Sequence, residues 1–225
     1  MSGLTLVIGN KNYSSWSLRP WLALRMAGLA FEEIRIPLYQ AGSREQILRH
    51  SPAGRVPILL HGDVTVWDSL AICEYAAELA PGAGLWPESR ALRAHARSIS
   101  AEMHSGFGAL RSAMPMNLRL AGARLVKPPS PEVEADVARV LAIFEECRER
   151  HGAGGDFLFG RFTIADAMFA PVATRFRSYS VPLPPRSQSY VDALCSLAPM
   201  REWIAAGAAE VERFPEVEAL VAPPS

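Results

Sequence analysis

Cysteine is scarce in this chain. Only Cys73, Cys147 and Cys195 occur among 225 residues, an odd number, widely separated and in no metal-ligand spacing. A disulfide framework is thereby excluded, no metal is expected, and a reducing cytoplasm is the expected compartment. Net charge is missing as well, because 23 Lys and Arg balance 23 Asp and Glu. No basic run interleaves with aromatics, so the electrostatic footprint of a nucleic-acid binder is lacking. Long apolar runs are also wanting. Stretches such as Ala167–Ala173 fall far short of a membrane span, and the N-terminus lacks the basic-then-apolar pattern of an export signal. There is no internal repeat and no low-complexity segment. What is present is a 49% hydrophobic chain, long enough to bury one large core or two small ones.

The chain has two textures. In the first part, Leu4–Ile8 is a compact apolar run that suits a buried strand. Asn10–Ser17 is polar and turn-rich. Trp21, Leu22, Leu24 and Leu29 then follow at helical spacing, with Gly28 as the stop. Phe31–Leu38 reads as a strand with Phe31, Ile34 and Ile36 as its apolar members, and Ser43–His50 as a short helix. After the Ser51–Gly54 loop, Ile58–His61 and Val64–Trp67 form two short strands around Gly62-Asp63, an inverted hairpin dipeptide. Leu70, Ile72, Tyr75, Ala76 and Leu79 return to helical spacing. Pro81–Pro87 breaks the pattern as a linker. Beyond it the spacing predicts helices only: Ser89–Leu120, broken or kinked at Pro115, Glu132–Arg150, opened by Pro131, Thr163–Tyr179 and Ser189–Ala208. Pro223-Pro224 makes a loose tail.

Four short patterns carry the functional signal. Tyr13-Ser14-Ser15-Trp16-Ser17-Leu18-Arg19 lies between the first strand and the first helix. A serine there either caps the helix or presents a hydroxyl where the helix dipole and free N–H groups favour an anion such as a thiolate. Arg55-Val56-Pro57-Ile58 follows a turn and, alone, reads as a proline opening a strand. Trp67-Asp68-Ser69-Leu70 opens a helix and, alone, reads as its N-cap. In the second half, Phe159–Asp166 sets Thr163 and Asp166 at the spacing of an acidic capping box, a folding device.

In order and spacing these patterns resemble the glutathione transferase superfamily over about residues 4–215. The serine pattern is nearest to the Ser-Ser-Cys-x-x-Arg signature of the zeta class (maleylacetoacetate isomerases), with Trp16 where that class has cysteine. The resemblance implies an α/β plus all-α architecture. A thioredoxin-like N-terminal domain (βαβαββα) would span residues 1–80, and an all-helical domain residues 88–225. Glutathione is the implied co-substrate and Ser14 the implied thiol activator, with Ser15 and Ser17 as rivals. Ser15, Trp16, Arg55, Val56, Pro57, Asp68 and Ser69 would hold the tripeptide. Val56 would do so through its backbone beside a cis Pro57, Ser69 at the γ-glutamyl carboxylate and Asp68 at the ammonium group.

A second-substrate pocket would draw on Tyr13, His104, Phe107 and Arg111. On an unbroken helix, His104, Gly108 and Arg111 share one face. Gly106 and Gly108 are costly inside a helix and suggest another backbone close by, such as that of a second copy, since the superfamily is usually dimeric. The implied activity is attack of the glutathione thiolate on a small hydrophobic electrophile, as in detoxification. One alternative is cis–trans isomerisation of an unsaturated diacid, which the change of cysteine to Trp16 disfavours. Another is a non-catalytic protein-contact role, which the retained glutathione contacts disfavour.

Overall fold

Five residues of β1 (Leu4–Ile8) form the centre of the molecule's sheet, and four of them are buried. A strand covered on both faces needs a continuous apolar run, and Leu-Thr-Leu-Val-Ile supplies one. The computed structural model describes residues 3–222, so the Pro223-Pro224 tail lies outside the described residues. The first part runs β1, α1 (Ser15–Met26), β2 (Phe31–Arg35), α2 (Ser43–Leu48), β3 (Ile58–His61), β4 (Val64–Trp67) and α3 (Ser69–Leu79). The sheet order is β2-β1-β3-β4, with β1 parallel to β2 and antiparallel to β3, and β3 antiparallel to β4. This is the expected βαβαββα domain.

Two details of the sheet follow from local chemistry. Strand β2 ends at Arg35 rather than Leu38, because Pro37 has no N–H to continue the ladder. As an edge strand it exposes Glu32 and Glu33, and Ile34 too is 36% exposed instead of joining the core. The β3–β4 turn has Gly62 at φ +58° and no positive φ at Asp63. That is the hairpin class needing glycine at its first central position, which accounts for the inverted dipeptide.

A 3₁₀ turn (Pro81–Ala83) leads to the helices α4 (Arg90–Ser105), α5 (Gly108–Ala113), α6 (Pro131–His151), α7 (Ile164–Ser178), α8 (Pro185–Ser196), α9 (Ala198–Ala209) and α10 (Pro215–Glu218). Among the described residues, none of them is long and apolar enough to cross a membrane. Two expected single helices are pairs. The Ser89–Leu120 pattern breaks at Gly106–Phe107, where Phe107 takes φ +58°, and its second helix ends at Ala113, just before Pro115, the expected break. The Ser189–Ala208 pattern begins earlier, at Pro185, and breaks at Leu197, because Pro199 sits in the first turn of α9 and cannot continue α8. Gly106 is the C-cap of α4, and nothing approaches the Cβ position of Gly108 within 4 Å. Among the described residues, the close backbone expected there is only that of α4 itself, Glu102 O lying 2.8 Å from where a Cβ on Gly106 would sit.

Helix α7 is the hub. All of its residues but Arg177 are buried, and it packs on α1, α4 and α8. Its start is fixed by the expected capping box between Thr163 and Asp166. One apolar cluster runs from Leu6 and Trp21 of the sheet domain through Phe169 and Trp203 of the helical part, so the loop after β1 and the start of α3 are held against the helices.

Candidate functional site

The turn after β1 is built from its own polar groups. Ser14 N–H donates to Asn10 O at 2.8 Å, and Asn10 Oδ1 in turn accepts from Leu38 N–H at 2.7 Å. Ser14 is the N-cap of α1, yet its side chain makes no capping bond. Its Oγ instead lies 2.7 Å from Ser17 Oγ, which also accepts from Gly9 N–H at 3.1 Å. Ser17 is fully enclosed, so its own proton goes to Ser14. That leaves the Ser14 proton to point elsewhere.

Elsewhere is a cavity of about 1110 Å³ between the sheet domain and the helices, lined by Tyr13, Ser14, Ser15 and Trp16 but not by Ser17. Arg55, Val56, Pro57, Asp68, Ser69 and His104 line it as well. The Val56–Pro57 bond is cis, and neither the N–H nor the C=O of Val56 has a backbone partner among the described residues. Asp68 stands at φ +79° and caps α3, its Oδ1 accepting from Leu70 N–H at 2.9 Å and Ala71 N–H at 3.3 Å. Its Oδ2 pairs with His104 Nε2 at 3.3 Å. Ser69 opens α3, and its buried Oγ has no partner among the described residues. An orphaned hydroxyl beside the Ser69 N–H, which the Asp68 cap leaves free, suits a carboxylate at a helix start.

Other expected members sit differently. Tyr13 faces the cavity, but its hydroxyl is fully engaged. It donates to Glu218 Oε1 at 2.6 Å and accepts from Arg119 Nη2 and from Phe214 N–H at 3.2 Å. Burial, and then the bond to Glu218, push its pKa up, so it stays protonated. Phe107 is buried in the core and Arg111 lies over the Trp16 ring, its guanidinium carbon 5.4 Å from the centroid. Neither lines the cavity, because the α4–α5 break turns them out of register with His104.

Sequence reasoning missed a wall of this cavity. Phe214 stacks on Tyr13 with centroids 4.1 Å apart, and Val217, Pro115 and Met116 complete the apolar side. Gln40 and Arg44 line the cavity too. Phe214 and Val217 belong to the irregular segment around α10, where no periodicity marks them. A second cavity of about 510 Å³, among α5, α6 and the loop at 123–129, is lined mainly by apolar side chains and lies apart from these groups.

Comparison with known proteins bears on this geometry. Residues 13–79 match the family model for the N-terminal domain of glutathione S-transferase, and residues 130–206 that for its C-terminal domain. The chain is 30% identical over 179 residues to a maleylacetoacetate isomerase of Rhizobium meliloti, covering 76% of this chain and 81% of that one. It is 38% identical over 90 residues to glutathione S-transferase 1 of Dianthus caryophyllus, where the match spans only 41% of the relative and 38% of this chain. The fold is shared with a glutathione transferase homolog from Burkholderia, solved with bound glutathione. The TM-score there is 0.68 at 24% identity, over 92% of this chain and 100% of that one.

Proposed function

The chain belongs to the glutathione S-transferase family, and on that premise we propose that it is an enzyme adding the glutathione thiolate to a small hydrophobic electrophile. The observation that carries this is the convergence in one cavity of the Ser14 hydroxyl, 2.7 Å from Ser17 Oγ, an unpaired Val56 backbone and an orphaned Ser69 hydroxyl. When bound, glutathione supplies the nucleophilic sulfur. Ser14 donates to that sulfur and, with the start of α1, favours its charged form. Ser17 holds the Ser14 hydroxyl in place, and Ser15 lines the same end. Val56 pairs with the cysteinyl unit as an added strand would, while the hydroxyl and N–H of Ser69 take the γ-glutamyl carboxylate. Asp68, already committed to the cap and to His104, offers its remaining acceptor capacity to the ammonium group. Tyr13, Phe214, Val217 and Met116 form the apolar wall for the electrophile.

A second reading, glutathione-dependent cis–trans isomerisation of an unsaturated diacid, is favoured by the Rhizobium relative. Trp16 stands against it, since its ring fills the position where the resembling class has cysteine. We also propose a homodimer and a cytoplasmic location. Val64 and Trp67, 45% and 51% exposed on the outer strand β4, support the first. A division into residues 1–80 and 88–225 is likewise proposed, and the 3₁₀ turn at Pro81–Ala83 supports it.

The test is a pH titration of the thiolate absorbance of bound glutathione. Ser14→Ala is expected to raise the thiol pKa by about one unit, which is about a tenfold loss of thiolate below that pKa. Ser15→Ala is expected to leave it in place. If Ser15→Ala moves the titration and Ser14→Ala does not, the two roles are exchanged. If neither moves it, a serine-activated transferase is the wrong reading. Conversion of maleylacetoacetate faster than conjugation of any aryl halide would favour the isomerase.

A further inference from the structure

Two guanidinium groups lie against Trp16, and a third belongs to the helix packed on that of the first. Arg19 of α1 lies with its guanidinium carbon 4.4 Å from the Trp16 ring centroid, and Arg111 of α5 approaches the same ring at 5.4 Å. Both also reach the end of α4: Arg19 Nη2 donates to Met103 O at 3.4 Å and Arg111 Nη1 to His104 O at 3.3 Å. A helix C-terminus and an aromatic face each offer partial negative charge. The third group is Arg175 of α7, the helix against which α1 and α4 pack. Arg19 is 1% exposed and Arg175 3%.

Among the described residues, Arg19 and Arg175 have no ion-pair partner. On Arg19 and on Arg175 alike, Nε and Nη1 are buried with no hydrogen-bond partner. The carboxylate nearest in effect to Arg19, Asp68, is taken by the α3 cap and by His104. The thiol of Cys73, which also faces Arg19, stays neutral because burial pushes its pKa up. Tyr179, beside Arg175, gives its hydroxyl proton to Pro115 O at 2.8 Å. Burial, then Arg175 and Arg111, bring Arg19 down to about 9, and burial and Arg111 bring Arg175 down to about 10. Both therefore remain charged at neutral pH. Buried polar groups are as a rule bonded, and a buried unpaired charge is the costliest exception.

We propose that the seam of α1, α5 and α7 at Trp16 is a binding site for a small inorganic anion, chloride being the type, held by the unpartnered nitrogens of Arg19 and Arg175. The anion is small because both of these side chains are enclosed. It is separate from the second substrate because none of the three arginines lines the cavity, and Arg19 and Arg111 lie against the Trp16 ring, which does. Its consequence is mechanical. It ties α1, whose N-cap residue is Ser14, to the hub helix α7.

The experiment is thermal unfolding at constant ionic strength, with sodium gluconate replaced stepwise by chloride or bromide. A saturable rise in Tm of several degrees is expected for the wild type, by mass action on the folded state alone. Arg175→Met is expected to lose that rise. Crystals grown in bromide are expected to show an anomalous peak between Arg19 and Arg175, which decides the matter even if the variant does not fold. The same halide response in wild type and Arg175→Met, or no bromide peak at the seam, overturns the proposal. So does halide inhibition confined to carboxylate-bearing electrophiles, since the cluster would then open to the cavity and serve the substrate.

Discussion

At the scale of single residues, a hydroxyl's role depends on where its proton goes. Ser14, Ser15 and Ser17 are chemically alike and adjacent in the chain, but only Ser17 is spent on Gly9 and Ser14. Ser17→Ala is therefore expected to weaken thiol activation indirectly, raising the thiolate pKa by less than Ser14→Ala does in the same titration. At the other end of the cavity, Ser69→Ala removes a buried donor from a carboxylate. Glutathione affinity is expected to fall by about 1–3 kcal/mol, read by calorimetry on the folded variant. An unchanged Kd would remove Ser69 from the site. The motif positions of both serines were legible in the sequence. Which hydroxyl is free was not, because it depends on Gly9 N–H and on enclosure by the surrounding chain.

At the scale of elements, α7 and α9 set the frame. Burial pushes the Asp166 carboxyl up to about 6, against hydrogen bonds from Leu158 N–H, Thr163 N–H and Thr163 Oγ. The folded value lies above the ordinary aspartate value of 3.8, so the folded protein binds this proton more tightly than the unfolded chain. Its contribution to stability is fully present below about pH 4 and is lost as pH rises through about 6. The span of about two units is worth about 3 kcal/mol. Urea unfolding of Asp166→Asn is expected to show lower overall stability but no such step between about pH 4 and about pH 6. An unaltered pH profile would remove Asp166 as its source. In α9, a Cβ at Gly207 would meet Asn12 N and Lys11 C at 3.0 Å and Leu118 Cδ1 at 2.8 Å. Backbone cannot yield cheaply, so Gly207→Ala is expected to cost about 1–3 kcal/mol and to raise the glutathione KM by displacing the turn before Tyr13. A variant that melts with the wild type would show that the turn gives way freely.

At the scale of the whole molecule, the C-terminal segment straps the sheet domain to the helices. Glu210 accepts from Lys11 N–H at 2.7 Å and Asn12 N–H at 3.0 Å, and Glu212 pairs with Arg35 at 2.9 Å. Arg119 donates to the carbonyls of Glu210 and Glu212 at 2.8 and 3.0 Å and pairs with Glu218. Phe214 and Val217 reach the cavity only because this strap is in place. Arg119→Met is expected to free the segment, so that limited proteolysis cleaves it faster and KM for the electrophile rises several-fold. Glutathione affinity should be nearly unchanged, since among the described residues neither Val56 nor Ser69 is hydrogen-bonded to this segment. A rise in both constants together would mean that the strap supports the whole cavity.

The sequence by itself determined the local elements and the motif positions. An apolar run made β1, Thr163 and Asp166 set the start of α7, and Asp68-Ser69 opened α3, because each depends on neighbours a few residues away. Pro37 and Pro199 also carried the signals that shorten β2 and divide α8 from α9. Tertiary structure alone decided the rest. Phe107 takes a left-handed backbone that nothing in its spacing announces, and Arg111 is thereby moved from the cavity to the ring of Trp16. Phe214 and Val217 become a cavity wall through hydrogen bonds that span about 90 to 200 residues along the chain. Such contacts are set by packing and charge between distant segments, which short-range periodicity does not encode.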